Sequence, residues 1–384
     1  MAKFTVCVPG LLTTVQDRGR MGYAASGFSP SGVMDRRAFS LGNLLVGNAA
    51  NAPAIEFAFA GPTLEFENDA VVAITGADFN PRLDEERAPM YQAFVVRAGQ
   101  RLSMPAAERG VYGYLAIANG GVDVPRVMGS ASTNLKCGLG GFEGRRFAFG
   151  DVVNFHDTTP NPYYDFGPNH YRNDPFYHFE YLTQEIRVVP GPQSDLFTSR
   201  GIDTFYKERY QVSAQTDRMG CRLDGPQIES SRGSDIISDG IALGSIQIPA
   251  QGTPIVMLAD RQTTGGYAKI ATVASVDIPL LVQRATKQYV RFKPVSVIEA
   301  QRCSWPNAIT TATCAPTREA GSRWKCPASS RTTTRASPPC RRWNKRRKKR
   351  SRPEKRAART NRCDTRDMRL WPAPRAAYRR DHGV

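Results

Sequence analysis

A dense group of polar residues follows an apolar strand in the second half of the chain. Residues 254–259 (PIVMLA) predict a buried strand. The residues after it supply carboxylate, guanidinium, amide and hydroxyl groups that can bind a planar amide or carboxylate and stabilise an oxyanion. A turn without function needs only one or two such groups. We therefore predict five catalytic residues: Asp260, Arg261, Gln262, Thr263 and Thr264.

The next residues extend this candidate site. Gly265 and Gly266 permit a turn with close backbone approach, and Tyr267 and Lys269 add a phenol and a cation. We predict that all four contribute to substrate binding.

A second charged segment is TDRMGCRLDGP at residues 216–226. Arg218 and Arg222 flank a turn in which Gly220 and Gly225 allow a tight backbone. Both arginines are predicted to bind substrate, although an ordinary surface turn explains the segment equally well.

A third segment, GFSPSGVMDRRAF at residues 27–39, leads into a predicted helix. Ser31 is the predicted N-cap, and Asp35 is predicted to lie in the first turn, where a carboxylate suits the helix dipole. A capped helix does not explain Arg36, a cation close to the positive end of the helix. Asp35 and Arg36 are therefore further candidates for substrate binding.

The net charge of +17 is concentrated at the end of the chain. Residues 303–384 contain 23 Lys and Arg against 5 Asp and Glu, whereas residues 1–302 have a net charge of −1. This basic tail has few aliphatic residues, so it cannot bury enough apolar surface to fold, and we predict that it is disordered. The abrupt change in Trp, Cys and Arg content favours an out-of-frame reading over a nucleic-acid-binding arm or a localisation signal. Nucleic acid is an expected partner only if the tail is native.

Several cofactor motifs are missing from the sequence. There is no GxxxxGK[ST] loop for ATP and no Met-Lys-Met site for biotin attachment, so we expect any cofactor to be bound by another chain or at an interface. His156, His170 and His178 do not have the spacing of a usual metal site, and no metal is predicted. With no signal peptide and no apolar run of membrane-spanning length, a cytoplasmic location is expected, without membrane contact.

The pattern of short apolar runs predicts a mainly β protein with two β-rich domains. The predicted domains are residues 1–155 and 183–302, joined by a linker or covering loop at 156–182 that is rich in Pro, Asn and aromatic residues. Helices are predicted at 35–45, near 193–206 and near Glu299, and the last strand at 289–292.

Several motifs, taken in order, resemble the biotin-dependent carboxyltransferase family, also called allophanate hydrolase subunit 2, which includes the C component of bacterial 5-oxoprolinase. The resemblance runs from about residue 4 to 302, and the tail departs from it. The motifs are PGLLTTVQDRGRMGY (9–23), SPSGVMDRRAFSLGNLLVGN (29–48), TGADF (75–79), GSASTNLKCGLGGFEGR (129–145), DRMGCRLDGP (217–226), IQIPAQGTPIVML (246–258) and ADRQTTGGYAKIA (259–271).

This resemblance implies a cyclophilin-like β-barrel and a protein that works with companion subunits. It implies opening of 5-oxoproline to glutamate with ATP hydrolysis, with ATP held by a partner subunit or at an interface and no biotin on this chain. The alternatives that it leaves open are carboxyl transfer from biotin to urea or a similar amide, and a regulatory role as antagonist of a kinase inhibitor.

Residue chemistry adds expected roles within that reaction. Arg261 and residues 262–264 suit the stabilisation of charge on an amide oxygen. Arg218 suits a substrate carboxylate, which 5-oxoproline has and urea lacks. Asp260 is expected either to orient Arg261 or to accept a proton from the amide nitrogen.

Overall fold

The protein is mainly β, as the sequence predicts. A computed structural model describes residues 1–157 and 185–303. Before residue 158, the described chain has helix α1 (Arg36–Leu45) and eleven strands, which are β1 (Ala2–Val8), β2 (Leu12–Gln16), β3 (Ala54–Ala58), β4 (Thr63–Phe66), β5 (Ala70–Asp78), β6 (Arg82–Leu83), β7 (Glu86–Arg87), β8 (Ala93–Val96), β9 (Arg101–Ser103), β10 (Arg109–Ile117) and β11 (Val152–Phe155).

From residue 185 onward, the described elements include ten strands and three α-helices. The helices are α2 (Ser199–Lys207), α3 (Ile278–Val282) and α4 (Val297–Arg302). The strands are β12 (Ile186–Pro190), β13 (Tyr210–Val212), β14 (Gly220–Asp224), β15 (Asp235–Gly240), β16 (Ser245–Gln247), β17 (Ile255–Met257), β18 (Thr264–Tyr267), β19 (Lys269–Val273), β20 (Tyr289–Val290) and β21 (Phe292–Pro294).

Strands β1–β11 form two antiparallel sheets around a shared aromatic core. Their orders are β11-β1-β4-β9-β6-β7 and β2-β3-β10-β5-β8. Alternation along β1 buries Phe4, whose ring centroid lies 5.6 Å from that of Phe66 and 6.1 Å from that of Phe155. Strand β5 is buried on both faces, because α1 covers its other side through Leu41 and Leu45.

The second part of the chain forms an eight-stranded sheet that curls into a nearly closed barrel. Its order is β20-β13-β14-β17-β16-β19-β12-β21, and only the β12–β21 pair is parallel. Helix α2 packs on it through Phe205, whose ring stacks at 4.7 Å on Phe292. The barrel predicted for this part of the chain is thus confirmed.

A separate two-stranded sheet, formed by β15 and β18, lies beside the barrel. Asp239 pairs with Gly265 and Gly240 with Thr264 in its register. The end of the predicted polar stretch is therefore a strand, and its partner comes from about 25 residues earlier in the chain.

The two parts of the chain share one hydrophobic core. Met34 and Phe39 from the first part belong to the same buried cluster as Ile186 and Phe292 from the second. Gln283, just after α3, also joins them: its side chain accepts from Val111 N and Tyr112 N and donates to Tyr112 O and Asp35 Oδ2. This core runs across the predicted domain boundary. The predicted covering loop beyond residue 157 and the basic tail beyond residue 303 lie outside the described residues.

The predicted helices are present, but the predicted cap of the first one is wrong. Asp35, not Ser31, is the N-cap of α1, and its side chain accepts from Arg37 N and Ala38 N. Ser31 adopts φ 54° in the preceding loop, where its hydroxyl accepts from Asn134. Because the residues between Ser31 and Arg36 form a loop, α1 begins well after Ser31. The carboxylate of Asp35, directly before the helix, therefore accepts from its free N–H groups.

Candidate functional site

The polar residues after β17 do not all face the same way. Asp260 is buried, Arg261 is partly buried, and Gln262 and Thr264 are exposed. The turn is fixed from below by backbone hydrogen bonds from Leu258 N to Met219 O and from Asp260 N to Arg218 O.

Asp260 forms its ion pair with Arg218, whereas Arg261 donates to backbone carbonyls. Arg218 Nε donates to Asp260 Oδ2 at 2.8 Å, and Arg218 Nη1 donates to Glu56 Oε1. Arg218 Nη2 donates to the carbonyl of Gly32 at 2.6 Å. A substrate carboxylate at Arg218 would have to displace one of these partners.

Burial sets the electrostatics of this ion cluster. Burial opposes the charge on Arg218, yet Asp260 and Glu56 together raise its pKa above the ordinary arginine value. Burial raises the pKa of Glu56, which is opposed by Arg218 and by hydrogen bonds from Met34 N and Tyr114 Oη. The cluster connects β3, the loop before α1 and the turn after β17, so it positions the candidate site.

Arg261 lies close to Arg36, which brings together two predicted site residues from distant segments. Arg261 donates to the carbonyls of Ile241 and Leu258 at 3.0 and 3.2 Å. Burial lowers the pKa of Arg261, and the neighbouring charge of Arg36 lowers it further. Burial and Arg18 likewise lower the pKa of Arg36. The positive charge here is therefore dense and partly removed from water.

Two carboxamides meet over Gly265. A Cβ placed on Gly265 would lie 2.9 Å from Nε2 of Gln247, 3.1 Å from Nε2 of Gln262 and 2.7 Å from Ile241 Cδ1. Gln247 is buried, and its Nε2 has no hydrogen-bond partner among the described residues. An unpaired buried donor is costly, so this nitrogen is available to a ligand or water.

The remaining predicted binding residues are spread around this centre. Lys269 is buried and forms an ion pair with Asp239 at 2.9 Å, beneath the β15–β18 sheet. Tyr267 is exposed on that sheet, and Gly266 is next to it. Arg222 is exposed on β14 opposite Ile255, at the far end of β17 from Arg261.

Asp35 is also occupied. Its oxygens accept from two backbone N–H groups of α1 and from Gln283, and it is almost fully buried. Burial raises the pKa of Asp35, and these hydrogen bonds oppose the rise.

Sequence reasoning missed Gln247 and a second buried cation, Arg20. Arg20 Nη2 donates to Ser132 O at 2.5 Å, while its Nε and Nη1 have no partner within residues 1–157 and 185–303. Asp17 nearby accepts from the hydroxyls of Ser130 and Ser132, both at 2.6 Å. The signal was present, since VQDRGR and IQIPAQG both place polar groups directly after strand residues.

Metal ligands and membrane spans can be assessed within the two described ranges. In these ranges, no three His, Cys, Asp or Glu side chains are grouped so that they could hold a metal ion. No helix between residues 1 and 157 or between 185 and 303 is long and apolar enough to cross a membrane.

Comparison with known proteins identifies the family. Residues 26–294 match the carboxyltransferase domain, subdomain A and B. The chain is 39% identical over 291 residues to the C component of 5-oxoprolinase from Escherichia coli, covering 76% of this chain and 91% of that protein. It is 36% identical over 305 residues to the corresponding component from Haemophilus influenzae, covering 77% and 92%. The crystal structure of the Kluyveromyces lactis urea amidolyase matches with a TM-score of 0.69 and 31% identity, over 78% of this chain but only 19% of that much longer one. The chain therefore belongs to the carboxyltransferase domain family, subdomain A and B.

Proposed function

We propose that the chain is the C component of a 5-oxoprolinase, which opens 5-oxo-L-proline to L-glutamate together with partner subunits. Support comes from the two relatives of that name, which match over nine-tenths of their own length. The reaction breaks the ring C–N bond, adds a water oxygen to the carbonyl carbon and leaves a proton on the nitrogen. ATP hydrolysis drives it, and we place ATP on a partner subunit or at an interface. We assign the complex to the cytoplasm, with no biotin attached to this chain.

The observation that carries this proposal is the pair of carboxamides over Gly265. A lactam presents its N–H and C=O on the same side, and a glutamine carboxamide can pair with both at once. Gln247 has an unpaired buried nitrogen, and Gln262 lies beside it. We assign lactam binding to these two side chains.

Charge on the lactam oxygen requires a nearby cation or donor. Arg261 is held by two backbone carbonyls next to the carboxamides, and Thr263 and Thr264 follow it with hydroxyl donors. We assign oxyanion stabilisation to Arg261, with the two threonines as supporting donors. Asp260 acts as a positioning residue, because its ion pair with Arg218 fixes the turn that carries Arg261.

The test is glutamate release from 5-oxoproline by the full chain, co-purified with candidate partner subunits and supplied with ATP. We expect release to depend on the partners and on ATP. Arg261→Gln should reduce kcat by about 100-fold or more, as loss of an oxyanion donor does elsewhere. Arg200→Gln is the matched control, since Arg200 is exposed on α2.

Carboxyl transfer to urea is the second candidate, because the chain also matches a urea amidolyase in structure. A folded, associated complex that releases no glutamate but carboxylates urea when supplied with a biotin carboxylase would replace the first proposal. Association without either activity would favour the regulatory role.

A further inference from the structure

Arg36, at the start of α1, has two arginines from separate segments as charged neighbours, Arg18 and Arg261. Arg36 is the first residue of α1, Arg18 follows β2, and Arg261 follows β17. Arg18 Nη2 lies 3.4 Å from the hydroxyl of Ser40, which is one helical turn after Arg36 and so on the same face of α1. The hydroxyl of Ser29 donates to Ala259 O at 3.3 Å and ties the loop before α1 to the turn that carries Arg261.

None of these three arginines has a carboxylate partner among the described residues. Arg36 and Arg261 are partly buried, so water screens their mutual repulsion only in part. The N-terminus of α1 adds its own positive end, and the Asp35 carboxylate is turned into the helix as a cap. The positive charge at this surface is therefore not balanced by the described chain.

The size of the unbalanced charge indicates the kind of anion. A single arginine is enough for one carboxylate, as at Asp277, where Arg187 donates through Nε to Oδ2 at 2.9 Å and through Nη2 to Oδ1 at 2.5 Å. Three guanidinium groups exceed what a carboxylate needs. They match a tetrahedral dianion, whose oxygens accept from several arginines at once.

We propose that Arg18, Arg36 and Arg261 form a binding site for a phosphoryl dianion, contributed either by the terminal phosphate of a nucleotide or by free phosphate. The inference rests on the proposed function, since an ATP-driven reaction at Arg261 brings a phosphoryl group to this surface. It assigns part of the phosphate recognition to this chain, even though the chain has no phosphate-binding loop.

The test needs only the isolated full chain. The thermal midpoint is measured in sodium phosphate, sodium acetate and sodium chloride at equal ionic strength, with pyrophosphate and a non-hydrolysable ATP analogue as further arms. We expect phosphate to raise the midpoint by about 2–4 °C over chloride, and acetate to have no such effect. A larger shift with the nucleotide analogue than with phosphate assigns the site to the nucleotide, and the reverse assigns it to free phosphate.

Variants locate the effect. Arg36→Gln and Arg261→Gln should each abolish the phosphate shift, and Arg200→Gln should retain it. If the variant at Arg36 or at Arg261, both partly buried, fails to fold, Arg18→Gln provides the same test at an exposed position. An equal shift in acetate, or a phosphate shift that survives in the Arg18, Arg36 and Arg261 variants, would overturn the proposal.

The binding assay also separates this inference from the proposed function. If the chain binds phosphate at the three arginines but its complex releases no glutamate, the phosphate site is supported and the proposed 5-oxoprolinase function is refuted. If glutamate release is normal but phosphate does not specifically raise the thermal midpoint, the proposed function is supported and the phosphate site is refuted.

Discussion

Arg218 is a single cation that serves two buried carboxylates from distant parts of the chain. Arg218→Met replaces the guanidinium with an unbranched apolar side chain. It leaves Glu56 and Asp260 without their cation. Because breaking a buried ion pair costs about 3–5 kcal/mol, we expect the free energy of unfolding in urea to fall by about that amount. Lys207→Met is the control, since its ion pair with Asp203 is exposed and such pairs contribute about 0–1 kcal/mol. A loss below about 1 kcal/mol in the Arg218 variant would contradict the assigned structural role.

Asp35 should leave a signature in the pH dependence of stability. Burial raises its pKa above 3.8, so the folded state holds this proton more tightly than the unfolded state. The free energy of unfolding therefore falls as pH rises from 3.8 through the raised value. Asparagine caps helices as well as aspartate and does not titrate. We expect Asp35→Asn to gain stability relative to wild type as the pH rises above 3.8, measured by urea unfolding across a pH series. A difference that stays constant with pH would show that Asp35 titrates normally.

At the scale of elements, Gly265 lets β18 come close to the carboxamide of Gln247 on β16. Gly265→Ala places a methyl group against Ile241, Gln247 and Gln262, all through the ends of flexible side chains. The side chains can move aside, so we expect little loss of stability but a fall in kcat/KM of about 10-fold to 100-fold for glutamate release. Gly240→Ala is the matched control, because Gly240 pairs with Thr264 across the same small sheet and its added Cβ meets nothing within 4 Å. Equal activity in the two variants would rule out lactam binding at Gly265.

The sequence patterns predicted the strands and helices well, but they did not predict which distant side chains contact each other. The alternation in β1 and the apolar run of β5 specify strands, and the 3.6-residue period specifies α1. The cap was misplaced because two candidate residues, Ser31 and Asp35, precede the helix and local rules do not rank them. Arg36 and Arg261 were both candidates, yet their proximity depends on packing between residues more than 200 positions apart.

The same limit explains why the partners of Arg218 were not predicted. From the sequence alone, an arginine in a glycine-rich turn is available to substrate. In the structure, Glu56 lies 162 residues earlier in the chain and takes one side of its guanidinium. A pairing over that distance leaves no local pattern.

At the scale of the whole molecule, the basic tail differs from the rest of the chain in its net charge, +18 against −1. A variant ending at Cys303 keeps every described contact and removes a net charge of +18. We expect its urea midpoint to equal that of the full chain and its solubility to rise. A lower midpoint would show that residues 304–384 contribute to the fold. Salt-sensitive binding of DNA by the full chain, absent from the shortened one, would favour a nucleic-acid-binding arm over an out-of-frame reading.

The buried ion cluster also sets an order of events during synthesis of the chain. Glu56 leaves the ribosome 162 residues before Arg218 does. At about 5–20 residues per second, that interval lasts roughly 8–30 s. The sheet that contains Glu56 is complete only when β10 ends at Ile117, and the last stretch before Arg218, about 100 residues, takes roughly 5–20 s. During that time the sheet carries an acid without its cation and an apolar face, around Met34 and Phe39, that no later strand yet covers. The first half of this protein therefore cannot complete its core until the second half is synthesised. Because its apolar face is exposed until then, we expect chaperones to bind it during synthesis.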